Sequence, residues 1–134
     1  MNIFQLAETL PNGFHDAVLS ELTISWVDRV ARLKLEIWCG DMNAPTGLRE
    51  SYRPSELTLH GVEYFVIDSP DPTYPYRKQG PVTIDLATVE QSPAHPPGTG
   101  VPFRLWVGQW NAFMNVSATE AELRWLGEAH VAHA

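Results

Sequence analysis

The chain has 134 residues, of which 44% are hydrophobic, and this predicts one globular domain over residues 1–134 with its own core. Its net charge of −7 argues against nucleic acid as a ligand, because phosphate backbones are bound by Lys and Arg, and favours a basic partner. A single cysteine excludes an internal disulfide, and there is neither a signal-peptide pattern nor an apolar run of membrane-spanning length, so we expect a cytoplasmic protein.

The first predicted element is a short helix over residues 2–10. Its apolar residues follow the i, i+3, i+4, i+7 spacing of one helix face, namely Ile3, Leu6, Ala7 and Leu10. Asn2 is a suitable N-cap, and Pro-Asn-Gly at residues 11–13 ends the helix. His15 and Asp16 then stand directly before the first strand.

Two alternating segments, residues 18–26 and 29–39, predict an antiparallel hairpin. A tight turn at residues 28–29 would pair Trp26 with Ala31, Ile24 with Leu33, Leu22 with Leu35 and Val18 with Cys39. The turn lacks the glycine that two-residue hairpin loops prefer, so a longer even-numbered loop is the alternative. On the opposite face, Leu19 would meet Trp38.

The middle of the chain alternates between predicted loops and strands. Residues 40–55 and 68–81 contain Pro or Gly without a sustained period, which is typical of loops. Residues 57–68 between them predict a third strand with a bulge at Gly61, where the alternation changes phase. A Pro/Gly connection over residues 92–102 follows a fourth strand, which is predicted by Val82, Ile84 and Leu86.

Residues 103–117 predict a second hairpin around residues 108–111, with one long bent strand as the alternative. This hairpin would place Trp106 opposite Phe113 and would pair Phe103, Leu105 and Val107 with Val116, Met114 and Ala112. Residues 119–122 have a capping-box pattern, which predicts a C-terminal helix containing Leu123, Trp125 and Leu126. The whole pattern favours a mainly β fold: an antiparallel sheet curled into a sandwich or partial barrel, with short N- and C-terminal helices.

His15, Asp16 and His60 are the candidate catalytic residues. Neighbours on an extended chain point to opposite faces, so His15 and Asp16 are not expected to act together, and structural roles are the competing interpretation. His15 and His60 with Asp16 or Glu63 have the ligand types of a divalent metal site, but no spacing supports one, and we predict no metal or cofactor. Adventitious metal binding is the more typical property of the C-terminal group Glu128, His130 and His133.

Aromatic side chains are the stronger candidates for a binding surface. Trp and Tyr bury large areas with few rotatable bonds and keep a polar group, which suits them to interfaces. The candidate binding residues are Trp106, Trp110, Phe113, Tyr74 and Tyr76. The alternative is that these rings pack against the terminal helices.

The sequence Gly-Phe-His-Asp-Ala at residues 13–17, which leads into an alternating strand, resembles a group of small uncharacterised bacterial proteins with an N-terminal His-Asp-Ala or His-Asp-Ser element. The sequence Leu-Thr-Leu-His-Gly-Val at residues 57–62 is also similar to their central strand, which tends to end in Gly-Val. Some members of that group are predicted immunity proteins of polymorphic toxin systems. The resemblance implies a β-rich fold and a protein partner, and it implies no catalytic residues.

Three functional hypotheses follow. The first is a non-enzymatic intracellular protein-binding module, an acidic immunity-type protein that neutralises a basic partner such as a toxin domain. The second is an enzyme of unknown reaction that uses His15, Asp16 and His60 in a cleft. The third is a structural homo-oligomer, for example a homodimer, joined through an outer face formed by Leu19, Trp38, Trp106 and Phe113.

Overall fold

The computed structural model describes residues 1–131 except residues 42, 46, 48, 77 and 90–98. The described residues form α1 (Ile3–Glu8), β1 (Ala17–Ser25), β2 (Val30–Trp38), β3 (Ser51–His60), β4 (Tyr64–Ile67), β5 (Val82–Ala87), β6 (Val101–Val107), a 3-10 helix (Gly108–Trp110), β7 (Ala112–Ala118), β8 (Glu120–Trp125) and β9 (His130–Val131). None of the helices in this part of the chain has the length and apolar character needed to cross a membrane. The mainly β, antiparallel prediction is confirmed.

The strands belong to one antiparallel sheet with the order β4-β7-β6-β5-β1-β2-β3-β8, and β9 pairs with the start of β3. The expected sandwich or partial barrel is not confirmed, because this order is an open path that ends at β4 and β8. The chain nevertheless links the two ends, since β3 leads into β4 through residues 61–63 and β7 leads into β8 through Thr119. At this corner the Thr119 amide donates to His60 O and the Glu63 amide donates to Ser117 O, both at 2.9 Å.

β1 and β2 form the predicted hairpin, and the longer of the two predicted loops is the correct one. Residues 26–29 make the turn, so Leu22 pairs with Leu33 rather than with Leu35. A bulge between Leu19 and Glu21 changes the phase of β1 and turns Leu19 into the core, where it is 5% exposed. The predicted outward position of Leu19 is therefore wrong, because the bulge adds one residue to an otherwise regular alternation.

The N-terminal helix and the second hairpin are confirmed. The Asn2 side chain accepts a hydrogen bond from the Gln5 amide at 2.9 Å and so caps α1. β6 and β7 pair in the predicted register, and the rings of Trp106 and Phe113 meet edge-on with 4.9 Å between their centres. The fourth strand is confirmed as β5.

The predicted third strand is wrong as a single element, because the chain bends at Gly61. β3 begins at Ser51, inside the predicted loop over residues 40–55, and it ends at His60. Gly61 has a φ of +64°, in the left-handed region that favours glycine, and β4 starts only at Tyr64. The described residues between Asp68 and Pro81 form the predicted loop. Residues 92–98 of the second predicted connection lie outside the described residues.

The predicted C-terminal helix is wrong, because its residues form β8 and pair with β3. Thr119 donates its amide and its hydroxyl to His60 O instead of capping a helix. The apolar residues Ala121, Leu123 and Trp125 also have the period of a strand, and β3 supplies partners for the backbone. The pairing with β3 outweighs the local preference for a helix.

One hydrophobic core lies between α1 and the inner face of the sheet. Ile3 and Leu6 of α1 are buried there. The largest fully buried side chains come mainly from β2, β3, β5, β6 and β7 and include Leu33, Ile37, Leu57, Leu59, Ile84 and Phe103. The inward-facing side chains of β5, β6 and β7 belong to this core, so the alternate residues of these strands form an outer face.

Candidate protein-binding site

His15 lies between α1 and β1 and is held by a residue from β5. Its Nδ1 is 2.5 Å from Asp85 Oδ1, and the Asp16 amide donates to the same oxygen at 3.2 Å. The carboxylate can only accept, so His15 Nδ1 donates to it. The hydrogen bond to Asp85 raises the pKa of His15, burial opposes the shift, and the negative charge of Asp16 adds to it.

Asp16 reaches the same imidazole because of an unusual backbone conformation. Its φ is 52°, which is left-handed, and its Oδ2 lies 3.4 Å from His15 Nε2. The expectation that His15 and Asp16 point apart is wrong for this reason, since it assumed an extended backbone. His15, Asp16 and Asp85 each offer one atom within 4.8 Å of the others, and they are the described residues that could hold a divalent cation.

Two aromatic residues border this cluster on the other side. The Trp38 ring lies 5.8 Å from the His15 ring, centre to centre, and Tyr52 pairs with Trp38 across β2 and β3. Burial raises the pKa of the Tyr52 phenol, and the negative charge of Asp16 is the second cause. The side chains around His15 are therefore a mixture of carboxylates and large rings.

The sheet register connects this cluster to two of the predicted binding aromatics. Asp85 pairs with Trp106, and Trp106 pairs with Phe113, so their side chains share the outer face of β5, β6 and β7. We call Asp16, Asp85, Trp106 and Phe113 the acidic–aromatic row. The side chains of Asp16 and Asp85 are 53% and 32% exposed, and the two rings are partly exposed.

A cation of the protein itself already occupies one end of this row. The guanidinium carbon of Arg104 lies 3.8 Å from the centre of the Phe113 ring. Arg104 Nε also donates to Asn115 Oδ1 at 3.0 Å. The ring faces and carboxylates of this surface are thus suited to guanidinium and ammonium groups.

The other predicted binding aromatics lie on a separate surface. Trp110 and Tyr76 line an open cavity of about 340 Å³ together with Lys78 and Val82. Tyr74 is 44% exposed. The loop that carries the tyrosines is fixed to the β6–β7 hairpin, because the Asp71 amide donates to Trp110 O at 2.9 Å.

His60 is not part of the His15 cluster. It pairs with Val30, which in turn pairs with Ser25 at the far end of β1 from His15. Nine residues of β1 span about 30 Å, so His15 and His60 lie at opposite ends of the strand. His60 Nε2 instead contacts Glu122 Oε1 at 2.7 Å.

The remaining candidate metal ligands are also dispersed. Glu63 Oε1 accepts a hydrogen bond from the Gly100 amide, at a site away from His15. His130 Nε2 lies 3.8 Å from Glu36 Oε2, and His133 lies outside the described residues. His15 and His60 therefore do not share a site in the part of the chain that the structure describes, whereas the adventitious metal binding expected of Glu128, His130 and His133 stays a prediction.

Sequence reasoning missed Asp85 and Tyr52, and it placed Trp38 on an outer face without relating it to His15. Asp85 lies 70 positions from His15, and only the pairing of β1 with β5 brings them together. The available signal was that Asp85 is a charged residue between two apolar positions of a predicted strand, which places it on the outer face. No comparable signal relates Trp38 or Tyr52 to His15.

No family model, no curated protein and no solved structure matches this chain. The resemblance to bacterial immunity-type proteins therefore stays a prediction. The acidic–aromatic row and the His15 cluster are the features of this chain that bear on its function.

Proposed function

We propose that this protein is a non-enzymatic protein-binding module that binds a basic protein through the acidic–aromatic row. The observation that carries the proposal is the adjacency of the Asp85 carboxylate and two partly exposed rings on one sheet face, with Asp16 beside Asp85. Carboxylates pair with Lys and Arg, and Trp and Phe faces add cation–π attraction. The net charge of −7 would speed the encounter with such a partner.

The partner class that we propose is a toxin domain that the module neutralises. Two features support this choice: the acidic character of the chain and the resemblance of residues 13–17 and 57–62 to immunity-type proteins. Binding alone would be sufficient for such a function, because an inhibitor needs only to cover its target. The proposal therefore requires no catalytic group.

The other two hypotheses lose support from the positions of their residues. The enzyme hypothesis needs His15 and His60 in one cleft, and β1 separates them. The homo-oligomer hypothesis used Leu19 as part of an outer face, and Leu19 is in the core. Trp38 also has an internal role, since its Nε1 donates to Arg49 O at 2.8 Å.

A capture experiment with two charge-matched variants tests the proposal. Asp16→Asn with Asp85→Asn neutralises the row, whereas Glu8→Gln with Glu128→Gln removes two negative charges from exposed positions elsewhere. We expect the wild-type protein and the second variant to retain a basic protein from a host lysate at low ionic strength. We expect the first variant to lose it, and moderate salt to weaken retention in every case.

Two results of the capture experiment would contradict the proposal. If no basic protein is retained at low ionic strength, or if both charge variants lose it equally, the row is not the binding site. A third variant, Trp106→Ala, separates ring contacts from charge, and we expect it to weaken binding roughly 30-fold, the effect of a typical interface hot spot. Circular dichroism spectra of all variants control for loss of fold.

A further inference from the structure

The two edges of the sheet differ in how they are protected. On the β8 edge, Glu120, Glu122 and Arg124 present charged side chains. The amide of Ala121 donates to Met1 O at 2.8 Å, so the N-terminal segment covers part of this edge. Charges and a covering segment are the usual means by which proteins prevent unwanted strand pairing.

The β4 edge has apolar side chains instead. Tyr64, Val66 and Ile67 are 41%, 51% and 47% exposed, so three of its four residues present large apolar groups to solvent. β4 pairs with β7, and it has no second neighbour among the described strands. Its four residues include neither Lys nor Pro, the residues that commonly block an edge.

The backbone of β4 is oriented for pairing. The Asp68 amide donates to Phe113 O at 3.0 Å, so alternate residues of this strand direct their N–H and C=O groups toward β7. The intervening residues, Phe65 and Ile67, then direct theirs toward the open edge. A further strand would find a donor and an acceptor at each of these two positions.

The β1–β2 turn adds apolar surface beside this edge. The Val62 amide donates to Arg29 O at 2.9 Å, which places the turn next to the start of β4. Trp26 and Val27 in the turn are 49% and 96% exposed, and the Arg29 guanidinium lies over the Trp26 ring. An extended segment on β4 would therefore contact apolar groups at one end as well as along its side.

The charges at the ends of β4 indicate which segment fits. Glu63 and Asp68 flank the strand and are both exposed. Among the described residues, the side-chain hydrogen bonds to these carboxylates come from neutral donors, the Gly100 amide and Asn115 Nδ2. A segment with Lys or Arg at each end would therefore place opposite charges beside Glu63 and Asp68 at both ends of the strand.

We propose that β4 is a docking edge for an extended, apolar segment of a partner protein that has Lys or Arg at both ends and adds as an antiparallel strand. The inference rests on the proposed function, since this partner is the same basic protein. β4 adjoins Phe113 through β7, so the added strand would extend the sheet face that carries the acidic–aromatic row. Strand addition supplies backbone hydrogen bonds, and the flanking charges supply selectivity.

Hydrogen exchange with a synthetic peptide tests the edge directly. The probe is the capped peptide Lys-Val-Thr-Val-Thr-Lys, and the control is the same peptide with Glu at both ends. At about nine times its Kd, the Lys peptide should slow exchange of the Phe65 and Ile67 amides about tenfold, because only the unbound tenth exchanges. The Glu peptide should bind about tenfold more weakly at low salt.

Two variants at equally exposed residues test whether the peptide binds at β4. Ile67 and Leu126 are both 47% exposed, and only Ile67 lies on β4. Ile67→Lys should weaken binding of the Lys peptide at least about tenfold, since it blocks the edge and adds a like charge, whereas Leu126→Lys should leave it unchanged. Equal binding of both peptides, unprotected Phe65 and Ile67 amides, or a wild-type dimer that Ile67→Lys dissociates would overturn the proposal.

The pattern of results separates this inference from the proposed function. If Asp16→Asn with Asp85→Asn abolishes capture of a basic protein while Ile67→Lys retains it, the docking edge is wrong and the proposed function stands. If the Lys peptide protects Phe65 and Ile67 but no basic protein is captured, β4 accepts a strand and the proposed function is wrong.

Discussion

Replacement of Leu19 by alanine should destabilise the protein much more than replacement of its neighbour Val18. Regular alternation along β1 would place Val18 in the core, but the bulge after Leu19 reverses the two positions. Leu19 is 5% exposed and belongs to the core cluster, whereas Val18 is only partly buried. The pair of substitutions therefore tests the bulge itself.

The expected magnitude follows from the atoms removed. Leu19→Ala removes three buried carbons, each worth about 0.8 kcal/mol, and the remaining cavity brings the loss to about 3 kcal/mol. Val18→Ala removes two carbons from a partly exposed position and should cost about 1 kcal/mol. At about 4 °C per kcal/mol, Tm should fall about 12 °C for Leu19→Ala and about 4 °C for Val18→Ala.

Urea denaturation followed by tryptophan fluorescence measures both losses, and five tryptophans give a strong signal. The slope of the free energy against urea should stay the same in both variants, because neither changes the surface exposed on unfolding. Equal losses, or a larger loss for Val18→Ala, would show that β1 has no bulge and would refute the reasoning.

Three further predictions concern single side chains. The hydrogen bond to Asp85 raises the pKa of His15, so Asp85→Asn should lower that pKa in an NMR titration. In the wild type, the contribution of this hydrogen bond to the free energy of unfolding should be complete below the unfolded-state pKa of about 6.5. It should be lost as the pH rises through the pKa of His15 in the folded protein. Burial raises the pKa of the Cys39 thiol despite the opposing charge of Arg53, so a disulfide reagent at pH 8 should label the folded protein more slowly than the urea-unfolded chain. Arg29 has a left-handed φ of 54°, so Arg29→Gly should add about 1 kcal/mol to the unfolding free energy in a urea titration, and a loss instead would mean that its contact with Trp26 outweighs the relief.

The elements that the sequence predicts correctly are those whose determinants are local. The hairpin of β6 and β7 has its turn at residues 108–111 and matches apolar with apolar on one face, so strand, turn and register agree. The same holds for α1, where the cap and the apolar spacing lie within ten residues. Local patterns of this kind are sufficient when no distant segment competes for the backbone.

The errors arise where a distant strand decides the structure. Residues 119–125 have both a helix cap pattern and a strand period, and pairing with β3 selects the strand. The division between β3 and β4 depends on the contact between Gly61 and Thr119, which are 58 positions apart. The His15 cluster likewise requires the β1–β5 pairing, so its residue types were predictable and its geometry was not.

The open edge of β4 has its origin in the bend at Gly61. A side-chain carbon at this position would lie 2.2 Å from Thr119 Oγ1, and the φ of +64° is also unfavourable for other residues, so glycine is required twice over. The bend ends the pairing of β3 with β2 at His60 and directs the chain along β7 instead. β4 consequently lies next to β7, the strand that carries Phe113. The other edge of β4 has no partner strand among the described residues. Gly61 thus divides the predicted third strand into β3 and β4, and it places the unpaired edge of β4 beside the acidic–aromatic row.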